Sequence, residues 1–71
     1  MLIATSLKKE TADDVFKAVT DRFKGVDFSI MLDGQSKLWK LHAKARAGFA
    51  IDATLERLIK TFTMKIVSRN K

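Results

Sequence analysis

Trp39-Lys40-Leu41-His42-Ala43-Lys44-Ala45-Arg46-Ala47-Gly48-Phe49-Ala50-Ile51 alternates apolar and non-apolar residues without a break as far as Gly48. On an extended backbone, successive side chains point to opposite faces. Trp39, Leu41, Ala43, Ala45, Ala47, Phe49 and Ile51 then form an apolar face. Lys40, His42, Lys44 and Arg46 put three permanent cations and the chain's single histidine on the other. Read as a strand, the stretch belongs to an antiparallel sheet with one face covered and one solvated.

The same stretch also has a helical reading. Ser36 to Gly48 contains no β-branched residue and is rich in Lys, Leu, Ala and Arg, all good helix formers. Ser36 would cap this helix, Gly48 would end it, and Leu38, Leu41 and Ala45 would form its apolar stripe. With the helix that follows, the outcome is a mainly α protein with a helix-turn-helix. Two features oppose it. Asp33-Gly34 just upstream is a strong hairpin signal. The step from Gly48 to Thr54-Leu55 is also too long for the usual tight turn between the two helices. The strand reading is therefore preferred.

Upstream, Val26, Phe28, Ile30 and Leu32 alternate with Asp27, Ser29 and Met31, which predicts the partner strand of the hairpin. Gln35 and Ser36 complete the turn begun by Asp33-Gly34. Before it, Ala12, Val15, Phe16, Val19 and Phe23 follow the spacing of one helical face. Thr11 is the expected N-cap, with Asp14 three residues on as its capping-box partner. Asp13 and Asp14 in the first turn and Arg22 and Lys24 in the last suit the helix dipole, and Gly25 suits the stop. Leu2 to Leu7 reads as a short first strand.

Downstream, Asp52 is a second N-cap, and Leu55, Leu58, Ile59 and Phe62 form a second helical stripe. Thr63 to Arg69 reads as a last strand with Met64 and Ile66 on one face. The expected order is β-α-β-β-α-β in a single domain over residues 1–71. Both helices lie on one face of an antiparallel sheet, the ferredoxin-like α+β arrangement.

Bulk composition narrows the chemistry. The chain has 71 residues and no cysteine, so disulfides and thiolate metal sites are excluded. One histidine and no cysteine make a zinc site an unexpected feature, and no cofactor or metal is expected. No apolar run approaches the ~20 residues of a membrane span. The opening Met1-Leu2-Ile3-Ala4-Thr5-Ser6-Leu7-Lys8-Lys9 lacks the basic-then-apolar order of a signal peptide. A cytoplasmic protein without a membrane partner is the expectation. The short apolar terminal strands would suit pairing with a second copy as a homodimer.

The charge is segregated. The net charge is +6. Residues 1–35 hold five Lys/Arg against six Asp/Glu, whereas residues 36–71 hold nine against two. A basic half attracts polyanions. The expected function is non-catalytic nucleic-acid binding, RNA or DNA, with phosphates contacted by a cationic surface from residues 37–69. The candidate contacts are Lys37, Lys40, His42, Lys44, Arg46, Arg57 and Lys60, extended by Lys65 and Arg69. The same cations would serve a protein-interaction module or inhibitor that docks to an acidic protein surface. A third reading places His42 as a general base in a small ribonuclease, because histidine is suited to proton transfer near neutral pH. No second acid or base is paired with it in the sequence. Asp13, Asp14, Asp33 and Asp52 are better explained as caps and turn formers than as catalytic carboxylates.

Leu2 to Leu7 and Gly48-Phe49-Ala50-Ile51 loosely resemble the first-strand and third-strand motifs of the RNA recognition motif. In that family the strands carry exposed aromatics that stack on bases. Here Ile3 and Ile51 fill aromatic positions, leaving only Phe49. The resemblance would also expose the odd-numbered face, which the alternation assigns to the core. On this reading Trp39 and Phe49 pack the interior.

Overall fold

A computed structural model describes residues 1–70. The order is β1 (Leu2–Leu7), α1 (Lys9–Arg22), β2 (Val26–Leu32), β3 (Trp39–Ala45) and α2 (Ala53–Arg69). The strands form one antiparallel sheet in the order β1-β3-β2. The fold is therefore α+β, with three strands rather than the four of a full ferredoxin-like sandwich.

Trp39–Ala45 is a strand, which removes the helix-turn-helix alternative. Its helix-forming composition is overridden by position. β3 is the central strand, and its backbone bonds to a neighbour on each side. Leu41 and Ala43 are buried on its apolar face. The alternation does not remain extended to Ile51. Strand pairing ends at Ala45, and Gly48 takes a left-handed φ of 81° in the loop leading to α2. Gly48 to Ile51 is thus loop, not a third-strand motif.

The β2–β3 pairing is regular, from Val26 opposite Ala45 to Leu32 opposite Trp39. The Asp33 N–H donates to the Leu38 carbonyl at 2.8 Å, and the Lys37 N–H donates to the Asp33 carbonyl at 2.9 Å. The tip is therefore wider than a two-residue Asp-Gly turn. Lys37, not Gly34, takes the left-handed conformation, with φ 62°. The Asp33 carboxylate accepts from the Ser36 hydroxyl at 2.9 Å and the Gln35 N–H at 3.2 Å.

The other β3 edge pairs with β1 through two irregularities, one between Leu2 and Ala4 and one between Ala4 and Leu7. Ser6, within the second, has a φ of 60°. These bulges accompany inward placement of both Ile3 and Leu7.

Both helices pack on one side of the sheet. α1 buries Thr11, Ala12, Val15 and Val19, the stripe expected from its spacing. It begins earlier than its best capping residue. The Ala12 N–H donates to the Lys8 carbonyl at 2.8 Å, so Lys8 is the N-cap and Thr11 is a buried residue inside the helix. The acid in the first turn is Glu10, not the Asp13–Asp14 pair.

α2 begins as expected, with the Asp52 carboxylate accepting the Leu55 N–H at 2.8 Å. It then runs on to Arg69, so the expected last strand over Thr63–Arg69 is helix. The reason is visible in the spacing. Ile59, Phe62, Thr63, Ile66 and Val67 continue one helical stripe, and no glycine or proline interrupts it. Leu58 falls off this stripe and is exposed.

The core comprises Ile3, Leu7, Ala12, Val15, Val19, Val26, Leu41, Ala43 and Ile59. Phe23 bridges the layers, meeting Phe62 edge-on at 5.7 Å and Phe28 at 6.5 Å between ring centroids. One polar group disturbs this core. Thr63 is fully buried, and its hydroxyl has no hydrogen-bond partner. A buried hydroxyl without a partner loses its water and gains nothing in exchange. Thr63→Val keeps the shape and removes the oxygen, so it should stabilise the fold by about 1 kcal/mol. Thr63→Ser keeps the oxygen, loses a methyl group and should destabilise. Urea melts of the two variants check both signs; a Val variant weaker than the parent refutes the assignment.

Candidate nucleic-acid interface

The side of the sheet away from the helices carries the candidate site. Leu41 and Ala43 face the helices, so Lys40, His42 and Lys44 face the other way. About 7 Å separates successive members of this row along the strand. Register places β2 side chains beside them: Met31 opposite Lys40, Ser29 opposite His42 and Asp27 opposite Lys44. β1 contributes Leu2 opposite His42. His42 thus stands at the middle of the open face. Its directly opposite neighbours, Ser29 on β2 and Leu2 on β1, are neither acids nor bases.

Arg46 follows immediately after β3. Its backbone N–H donates to the Gly25 carbonyl at 3.2 Å, and its Nε donates to the Asp27 carboxylate at 2.7 Å. Both side chains of this pair are exposed, so it contributes little to stability. Its effect is on charge. Asp27 is the one carboxylate among the described strand residues of this face, and it offsets Arg46 rather than either lysine in the row.

Lys37 lies in the hairpin tip at the Lys40 end of the row and is exposed. Lys40 also helps hold the Asp33 carboxyl below the usual carboxylate range, after the larger effects of the Ser36 hydroxyl and the Gln35 N–H. The depressed titration of Asp33 favours the folded state above about pH 4. That contribution fades as pH falls through the lower folded value.

Arg57 and Lys60 do not join this face. Both lie on α2 in the helix layer, with the sheet between them and the Lys40 row. Lys60 is held by Glu56 at 2.8 Å. Lys65 and Arg69 are likewise on α2. The basic half of the sequence therefore forms two surfaces: the sheet face with the hairpin tip, and the outer side of α2. Sequence reasoning placed Lys40, His42 and Lys44 together and missed Asp27 and Ser29. The signal for those two was the hairpin register, which the wider tip set differently from a two-residue turn.

The aromatic rings lie elsewhere. Phe16, Phe23, Phe28, Trp39 and Phe62 pack against the core. Trp39 is half-buried, with the Lys9 ammonium 4.3 Å from its ring centroid. Phe49 sits in the loop after β3 with its ring against Gly25, and it is 43% exposed rather than interior. Among the described residues no strand places an aromatic ring on the open face. Nor do three His, Asp or Glu side chains gather there, or elsewhere among the described residues, as a metal site would require. No described helix is long and apolar enough to cross a membrane. A comparison with protein-family models, curated proteins and solved structures finds no match.

Proposed function

We propose that this is a non-catalytic nucleic-acid-binding protein that grips phosphates with the open face of its sheet. The observation that supports this reading is the row Lys40-His42-Lys44 on an uncovered face whose single strand carboxylate is already tied to Arg46. Long lysine stems lie along the sheet and carry their ammonium groups outward. Each phosphate contact releases counterions, so binding should be strongly salt-dependent. Lys37 and Arg46 extend the row at its two ends.

Mobility-shift titrations with RNA, single-stranded DNA and duplex DNA test the reading. Binding to at least one is expected at about 50 mM salt and should weaken steeply by about 200 mM. The double variant Lys40→Gln/Lys44→Gln should lose about tenfold or more in affinity. Its circular dichroism should not change, because both side chains leave the core side of β3 untouched. Unaltered affinity in that variant would remove the sheet face from consideration.

Met31, 55% exposed, and Leu2, 44% exposed, flank the row and suit a second reading: docking to an acidic protein surface. A pull-down after nuclease treatment separates the two. A partner that persists favours protein; one that vanishes favours nucleic acid.

A further inference from the structure

We propose that the ligand of this face is a nucleic-acid duplex, DNA or RNA, held through its phosphates without reading of its bases. The inference rests on the nucleic-acid reading above and narrows it.

Three observations lead there. The first is the missing ring. Proteins that bind single strands on a sheet stack bases on exposed aromatics, at about 1–3 kcal/mol per base. Here Phe28 and Trp39, the rings on the two strands of the hairpin, pack against the helix layer, and the outward positions are Asp27, Ser29, Met31, Lys40, His42 and Lys44. A single strand laid across them would find charge and no platform for its bases. It would also surrender its own flexibility on binding.

The second is the rigidity and spacing of the cations. Lys40 and Lys44 sit on a central strand bonded on both sides, so their Cα positions are fixed about 14 Å apart. A duplex presents one phosphate charge per about 1.7 Å of axis on a stiff frame. The lysine stems lose rotamer freedom with either ligand, but a stiff duplex adds little ordering cost of its own, whereas a flexible single strand does.

The third is the chemistry of the donors. Base reading relies on bidentate side chains, Arg to guanine or Asn and Gln to adenine. The row offers point-charge lysines instead. Its neighbouring guanidinium, Arg46, already uses Nε on Asp27. Lysines on phosphates fix position and carry no sequence information.

Asp27 acquires a role in this arrangement. It withholds part of the Arg46 charge from the ligand, so its removal should add a phosphate contact. Asp27→Asn is therefore expected to tighten duplex binding several-fold and to steepen the salt slope by about one.

The test uses fluorescence anisotropy with the full chain over about 50–200 mM salt. The probes are mixed-sequence DNA and RNA duplexes, A·T-only and G·C-only DNA duplexes of the same length, oligo(dT) and oligo(U). Both mixed duplexes should bind at least about fivefold more tightly than either single strand, since the single strands have lower charge density and gain no stacking. The A·T-only and G·C-only duplexes should agree within about twofold, as phosphate contacts predict. The logarithmic salt slope should be about −2 to −3, equivalent to a loss of roughly 16- to 64-fold across the range. Single strands bound as tightly as duplexes, or a strong preference between the two compositions, would overturn this inference while leaving nucleic-acid binding intact. A weaker Asp27→Asn variant would also overturn it. Absence of binding to every probe would overturn the underlying reading as well.

Discussion

Leu41→Ala should take away a large share of the stability of this protein. Leu41 is fully buried at the centre of the central strand, and it packs in the shared core with residues from both helices. Truncating such a leucine loses its transfer free energy and leaves a cavity, together about 2–5 kcal/mol. A chain of this length has a total stability of roughly 4–11 kcal/mol at the usual value per residue. The variant should therefore unfold at a much lower urea concentration, with a visible unfolded fraction if the parent lies at the lower end. Leu58→Ala is the matched control. Leu58 is 54% exposed on α2, so its truncation should change stability by no more than about 0.5 kcal/mol. Equal effects at the two positions would mean that the core is not where the structure puts it.

The second large effect is expected at Gly25, where two penalties coincide. Its φ is +87°, a conformation that costs a residue with a Cβ about 1–2 kcal/mol. A Cβ there would also lie 2.9 Å from Cδ2 and 3.0 Å from Cε2 of Phe49. Gly48 provides the comparison, since its φ is +81° and a Cβ would meet nothing within 4 Å. Gly48→Ala should therefore show the backbone penalty alone, about 1–2 kcal/mol. Gly25→Ala should exceed it by about 1 kcal/mol, the scale of an overpacked contact that a half-exposed ring can partly escape. A double-mutant cycle with Phe49→Ala checks the assignment. Once the ring is gone, the two glycine substitutions should converge. If the difference persists without Phe49, the ring is not its cause.

These two positions also show what the sequence makes legible. Leu41 is readable because it is apolar on both the strand and the helical reading, and with the Asp33-Gly34 signal the strict alternation around it gave the buried face of β3. Gly25 was readable as the end of α1 but not as a seat for Phe49, which lies 24 residues away in the chain. The same distinction separates the successes from the failures elsewhere. Val15 and Val19 declare a helical face locally. Thr11 looks like a cap locally, but the helix starts before it and buries it. Met64 and Ile66 alternate locally, yet the longer stripe through Ile59, Thr63 and Val67 determines the conformation. At the candidate site, Lys40, His42 and Lys44 share a face by strand geometry. Bringing Asp27 beside Lys44 requires register, and separating Arg57 and Lys60 from the row requires the layer order. Neither is a property of a short window.

The strand order has a consequence for how the molecule assembles. β2 and β3 are neighbours in the chain, so their hairpin closes only a short loop. β1 meets β3 at a sequence separation that reaches 42 residues between Met1 and Ala43, whose backbones exchange hydrogen bonds at 2.8 Å in each direction. Closing that distance has a larger entropic cost and is recovered only once the helices are in place to cover Ile3 and Leu7. The hairpin that carries Lys40, His42 and Lys44 is thus expected to form first, with β1 docking later to make β3 an interior strand.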